Sequence, residues 1–282
     1  VPIRICTIHG LYFQRDSSWR KKLVFIPIEK IISLMTHKAF SLNRDDIQTL
    51  TEWRIFPKEK MVYLGAGINL ERFNPALFSE EFVARKKAEL HIPSDANVVG
   101  IVARLVKEKG YVPLFRAFAK IIKELPNTVL LVIGPAEPEK KDRFDPAVAE
   151  TYGIAKHVIL LGERADVEQM YPLMDVFCLP SFREGLGRSI LEAAAMKKPA
   201  VASDIRGCRE AIDHGKTGLL VPPNNPEELA KALLFILSHP QEASRMGEAA
   251  RRKVETEYNY KTTLEKIEVE YKRLIQEKLG KS

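Results

Sequence analysis

The chain has 282 residues, 45 % apolar and 29 % charged, which excludes a disordered or fibrous protein and permits a sizeable core without covalent staples. That length suits one large domain or one and a half ordinary ones. A formal net charge of +7 points to anionic partners but does not choose among nucleotide diphosphates, anionic lipid and nucleic acid.

The cysteines, Cys6, Cys178 and Cys208, are few and odd in number. They argue against a disulfide framework and for a reducing compartment, so a cytoplasmic location is expected. No Cys/His cluster has zinc-ligand spacing, and neither a metal nor a cofactor is expected. No run of 18 apolar residues is present to span a membrane.

Val1-Pro2-Ile3-Arg4-Ile5 opens a strand that reaches residue 8 and ends at His9-Gly10; it does not have the pattern of a signal peptide. The missing initial methionine suggests a chain cut from something longer. A helix is expected from Ser18 to about His37, with Pro27 as a kink or break. Its start, Trp19 to Ile26, mixes aromatic, basic and apolar residues. Such a stretch can rest on the anionic inner face of a membrane as a peripheral contact, or simply cover the first sheet with its basic side in water. Strands at 39–42 and 61–64 follow, with a helix over Arg44 to Trp53 between them. Three strands make half of a doubly wound domain and leave an open edge. Residues 66–78 read as a connection.

From residue 98 the pattern becomes regular. Apolar strands at 98–103, 129–134, 157–162, 176–179, 200–202 and 218–221 alternate with helical segments near 111–124, 144–152, 166–173, 188–197, 207–213 and 226–238. Strands apolar on both faces, separated by amphipathic helices, predict a parallel sheet covered on both sides. The fold class is α/β, with one complete doubly wound Rossmann-like domain and a partial one before it. The expected boundaries are 1–75 for the partial domain and 76–258 for the complete one. A charged amphipathic helix within 259–282 is expected to return toward the first domain.

In a doubly wound sheet ligands bind beyond the carboxyl ends of the strands, where the strand order reverses. The strongest signal there is Glu184-Gly185-Leu186-Gly187-Arg188-Ser189-Ile190-Leu191-Glu192, after the strand at 176–179 and opening a helix. Gly185 and Gly187 allow close backbone approach, and the free amides at a helix start suit an anion. Glu192, a turn inside, can accept from two neighbouring hydroxyls such as those of a ribose. Glu184 can accept from another hydroxylated ring. The order is carboxylate, phosphate cradle, carboxylate, which matches sugar, diphosphate and ribose. An ordinary strand–turn–helix with two solvated glutamates has the same pattern. Arg104 and Lys109, after the strand at 98–103, could neutralise a departing diphosphate or form a solvated basic loop.

These motifs resemble glycosyltransferase family four, the retaining group with the two-domain GT-B fold. The resemblance covers nearly the whole chain and is strongest over 98–225. It rests on Arg104 and Lys109, then Glu184 and Glu192, then the turns Arg206-Gly207-Cys208-Arg209-Glu210 and Gly215-Lys216-Thr217-Gly218. It implies that Arg104 and Lys109 clamp the diphosphate, that Glu184 meets the donor sugar and that Glu192 meets the ribose. The amides of Leu186, Gly187 and Arg188 would line the phosphate path beside Gly185, and the base would lie near Glu163 and Arg164. His9 resembles a histidine of the family that contacts the donor sugar, so His9 and Glu184 are the catalytic candidates. Gly65-Ala66-Gly67 departs from the family at Ala66, and no contact is carried over there. The implied substrates are a nucleotide-sugar, expected to be UDP-linked with a hexose or N-acetylhexosamine, and a glycan or lipid-linked acceptor in polysaccharide biosynthesis. Nucleic acid is not an expected partner, because no aromatic platform accompanies the charge. Set against a complete domain of about 150 residues, the resemblance also implies that roughly 80–100 residues of the first domain are absent. A separate chain supplying them is therefore an expected partner, and the alternative function is a nucleotide-sugar-binding subunit inactive alone.

Overall fold

The computed structural model describes residues 3–13 and 17–280. Val1 and Pro2, the expected start of the first strand, and Lys281 and Ser282 of the tail lie outside the described residues. The chain forms two compact units, residues 1–69 with 257–282, and residues 70–256.

In the first unit β1 (Ile5–Ile8) leads through α1 (Trp19–Met35) to β2 (Lys38–Ser41), and α2 (Arg44–Glu52) leads to β3 (Met61–Tyr63). The strands are parallel, in the order β1-β2-β3. The start of α2 is fixed by Asn43, whose side chain accepts from the Asp45 amide at 2.8 Å, and acidic Asp45 and Asp46 suit a helix N-terminus. α1 runs through Pro27 without a break, so of the kink and the break expected there the break does not occur. Pro27 and Leu23, whose carbonyl loses its donor, both face solvent, so water can replace the missing bond. Phe25 and Ile26 pack on a core of Leu11, Phe13, Leu50 and Phe56, whereas Trp19, Leu23 and Val24 are exposed.

The second unit begins with α3 (Glu80–Glu89), capped by the Ser79 hydroxyl, which accepts from the Phe82 amide at 3.2 Å. None of its residues is buried, so no apolar stripe marks it in the sequence. There follow β4 (Asn97–Val102), α4 (Tyr111–Glu124), β5 (Thr128–Ile133), α5 (Val148–Thr151) and β6 (Val158–Gly162). Then come β7 (Val176–Leu179), α6 (Arg188–Ala195), β8 (Ala200–Ser203), α7 (Arg206–Ala211), β9 (Gly218–Val221), α8 (Pro226–Ser238) and α9 (Pro240–Glu257). All six strands are parallel, in the order β6-β5-β4-β7-β8-β9. The direction of winding reverses between β4 and β7. The loops leaving these two strands therefore part to opposite faces and open a crevice at their carboxyl ends.

Two expected helices shrink. The segment 144–152 keeps only α5, and 166–173 is a pair of tight turns over Val167–Gln169 and Tyr171–Leu173. Pro172 has no amide to continue a helix there.

The last helix, α10 (Tyr260–Leu279), belongs to the first unit. Tyr258 and Tyr260 flank Ile68, with Ile68 N donating to Tyr258 O at 2.7 Å and Tyr260 N to Ile68 O at 3.1 Å. Leu274 is buried and Tyr271 meets Phe40 of β2 edge-on, while Leu264, Val269 and Ile275 stay exposed.

Candidate functional site

The crevice between β4 and β7 is a cavity of about 440 Å³. Ala103, Arg104 and Lys109 line it from the β4 side, and Glu184, Leu186, Arg188, Ser189 and Glu192 from the β7–α6 side. These eight residues come from two stretches of chain more than 70 residues apart, so their meeting depends on how the strand ends are packed.

Glycine makes that packing possible at two places. Gly110 has φ +76°, and a Cβ there would overlap the carbonyl of Pro180. The turn 107–110 thus lies directly on the exit of β7, and Phe182 N donates to Glu108 O at 2.8 Å across the same junction. At Gly207, heading α7, a Cβ would overlap the Glu184 carbonyl, so α7 holds the backbone of Glu184 from the other side.

Lys109 consequently reaches Glu184. Its ammonium donates to Glu184 Oε1 at 2.7 Å, and the side chains are 14 % and 11 % exposed. The hydroxyl of buried Ser181 donates to the same oxygen at 2.7 Å. Both bonds fall on Oε1, which leaves Oε2 for a further donor.

Glu192 lies on the first turns of α6. Its Oε2 accepts from the hydroxyl of Tyr171 at 2.9 Å, and its Oε1 from Arg188 Nε at 3.2 Å. Tyr171 is fully buried, and burial, then the charge of Glu192, push its phenol well above the usual value. Arg104 sits between two carboxylates, Glu137 at 2.9 Å and Glu108 at 3.4 Å. Lys140 and then Arg104 hold the Glu137 carboxyl below the ordinary carboxylate range. Cys208, beneath Glu184, has its thiol pushed up by burial, which makes it an inert core group.

The amides at the head of α6 differ from three open donors. Gly187 N donates to Gly207 O at 3.2 Å, and Arg188 N turns back to Leu186 O at 2.8 Å. The close seat of Gly207 captures the first, and the tight turn into the helix captures the second. Glu163 and Arg164 stand past the end of β6 and do not line the cavity. Glu163 is exposed. Arg164 is held in a two-pronged pair with Asp166 at 2.7 and 2.6 Å, which raises the guanidinium and lowers the carboxyl. His9 is exposed at the end of β1, in the first unit. Among the described residues no cluster of three or more His, Cys, Asp or Glu could hold a metal ion. Among them, too, no helix is long and apolar enough to cross a membrane.

Ser181, Tyr171 and Glu137 were not among the residues the sequence singled out. A polar residue between Pro180 and Phe182, three before Glu184, offers a faint signal for Ser181. Nothing local marks Tyr171 or Glu137.

A cavity with a cation, a helix head and two anchored carboxylates at the reversal point suits a phosphorylated, hydroxylated ligand. Residues 83–253 match the family model for glycosyl transferases group 1. The chain belongs to this family. A capsular polysaccharide biosynthesis glycosyltransferase, CapM of Staphylococcus aureus, is 25 % identical over 99 % of this chain and 73 % of its own. An Escherichia coli UDP-Gal:alpha-D-GlcNAc-diphosphoundecaprenol alpha-1,3-galactosyltransferase is 26 % identical over 95 % and 68 %. The crystal structure of a glycosyltransferase from Rickettsia africae superposes with a TM-score of 0.81 at 26 % identity, covering 96 % of this chain and 70 % of that one. The curated relatives are longer, and the chain spans between 45 % and 73 % of their length. With its parallel Rossmann-like sheets, the family member described here has the GT-B class of fold.

Proposed function

We propose that the cavity of the second unit binds a UDP-sugar for transfer, with retention, to a growing glycan or lipid-linked acceptor, as in glycosyltransferase family four. The observation that carries this reading is the pair of anchored carboxylates on either side of the α6 head, Glu184 tied to Lys109 and Ser181, Glu192 tied to Tyr171. A nucleoside diphosphate laid across the helix head would offer its phosphates to Lys109, Arg104 and the Ser189 amide. Its ribose would reach Glu192, and its sugar Glu184.

In the transfer the bond from the anomeric carbon to the phosphate oxygen breaks, and its electron pair stays on the diphosphate. Lys109 and Arg104 stabilise that charge as it develops. Retention follows if the acceptor hydroxyl arrives on the face the diphosphate leaves, where a phosphate oxygen can take the acceptor's proton. The uridine and the lipid-linked or polysaccharide acceptor are drawn from relatives whose names carry them. Exposed Trp19, Leu23 and Val24 beside Arg20 and Lys21 would suit contact with an anionic membrane that holds such an acceptor.

The test is titration calorimetry with UDP on the Glu192→Ala variant. A hydrogen bond to a charged group contributes about 1.5–3 kcal/mol, so binding should weaken roughly 10- to 100-fold. A variant that binds UDP as the wild type does would place the ribose elsewhere.

A further inference from the structure

A carboxylate has about four acceptor positions, two on each oxygen. In the chain as it stands Tyr171 occupies one on Glu192 Oε2, at 2.9 Å, and Arg188 one on Oε1, at 3.2 Å. One position on each oxygen remains. That is the number two neighbouring ribose hydroxyls require, provided the carboxylate plane does not turn.

The two anchors are unequal. Arg188 is 63 % exposed, and exposed pairs one helical turn apart hold each other weakly. Tyr171 is fully buried. Its ring is held edge-on by Phe73 at 6.0 Å and tilted against Phe177 at 5.9 Å. The hydroxyl therefore cannot swing without disturbing the core. Its bond to an ionised oxygen forms out of water, where such bonds are strong. The phenol also keeps its proton throughout the neutral range, because burial and the neighbouring negative charge both oppose its loss.

We propose that Tyr171 is a positioning residue that makes the nucleoside site selective for ribose over 2′-deoxyribose, by fixing the plane of the Glu192 carboxylate. This inference rests on the ribose role proposed for Glu192.

The experiment compares UDP with 2′-deoxy-UDP by calorimetry on the 282-residue chain and its variants. The wild type should prefer UDP by about tenfold, the value of one hydrogen bond to a carboxylate. Tyr171→Phe keeps the ring and its packing and loses only the bond. Its preference should fall to about threefold or less, with most of the loss on UDP. Arg188→Met should weaken both nucleotides in proportion and keep the preference. A wild-type preference retained in Tyr171→Phe overturns the proposal, because the tyrosine then only fills space. So does a preference abolished in Arg188→Met, which makes the exposed arginine the anchor; this arm decides the matter should Tyr171→Phe fail to fold. Glu192→Ala separates the two levels. If it binds both nucleotides as the wild type does, the ribose reading itself is wrong. If it loses the preference while Tyr171→Phe keeps it, only the role of Tyr171 fails.

Discussion

Replacing Glu184 by glutamine removes one negative charge from the cavity while keeping the side chain's shape. The glutamine carbonyl can still accept from Lys109 and Ser181, which both lie 2.7 Å from Glu184 Oε1. What changes is the field felt by a diphosphate at Lys109. Two unit charges roughly 6 Å apart at an effective dielectric of about 40 interact by about 1.4 kcal/mol. Glu184 should repel a bound diphosphate by about that much. Glu184→Gln is therefore expected to bind UDP about 5- to 10-fold more tightly than the wild type. The UDP-sugar should not share the gain, because its hydroxyls exchange a charged acceptor for a neutral one worth about 1 kcal/mol less. The ratio of UDP-sugar to UDP affinity then falls by about fivefold or more. The ligand-free variant should lose about 1–2 kcal/mol of stability, since Lys109, only 14 % exposed, loses its counter-charge. Calorimetry at low and moderate salt, with denaturant melts on the same samples, reads all three effects, and salt should shrink the first. Weaker UDP binding in Glu184→Gln would refute the reasoning, because Lys109 would then not be shared between the carboxylate and the diphosphate.

Gly110→Ala forces a side chain into a left-handed backbone against the Pro180 carbonyl. Denaturant melts should show a loss of about 2–4 kcal/mol, and a value within about 0.5 kcal/mol of wild type would discount this junction. The buried Tyr111 hydroxyl donates to Ala103 O at 2.8 Å, and Tyr111→Phe should cost about 1–2 kcal/mol. Burial raises the Tyr111 phenol above its unfolded value. Its contribution is thus complete below the ordinary phenol value of about 10 and lost as pH climbs past it, a loss the phenylalanine variant should lack in melts across alkaline pH. Asp166 behaves in the opposite sense, because the Arg164 bond lowers its carboxyl. Stability from that pair is present above the ordinary value of about 3.9 and fades as pH falls toward the lowered one, and Asp166→Asn should remove this part of the acid limb.

The alternation of buried strands and amphipathic helices was legible because burial leaves a periodic mark. β5, Thr128–Ile133, is buried along its whole length, and a strand apolar on both faces fits a sheet covered on both sides. α3 escaped because it buries none of its residues, and the segment 166–173 misled because its apolar spacing hid the effect of Pro172. Pro27 does not break α1, because solvent around the helix can absorb the lost hydrogen bond.

The cavity divides along the same physical line. Arg104, Lys109, Glu184 and Glu192 stood out because strand ends and helix heads are local features, written in a few consecutive residues. Several of their partners are not local. Lys109 meets Glu184 across 75 residues, Arg104 meets Glu137 across 33, and Tyr171 meets Glu192 across 21. The sequence by itself determined where the sheet lies and which residues stand at its carboxyl edge, because secondary structure and burial follow from short-range periodicity. Only the tertiary structure decided that Lys109 reaches Glu184 and that Tyr171 holds Glu192. Those pairings depend on the strand order and on two glycines that let backbones touch, and neither leaves a periodic trace in the chain.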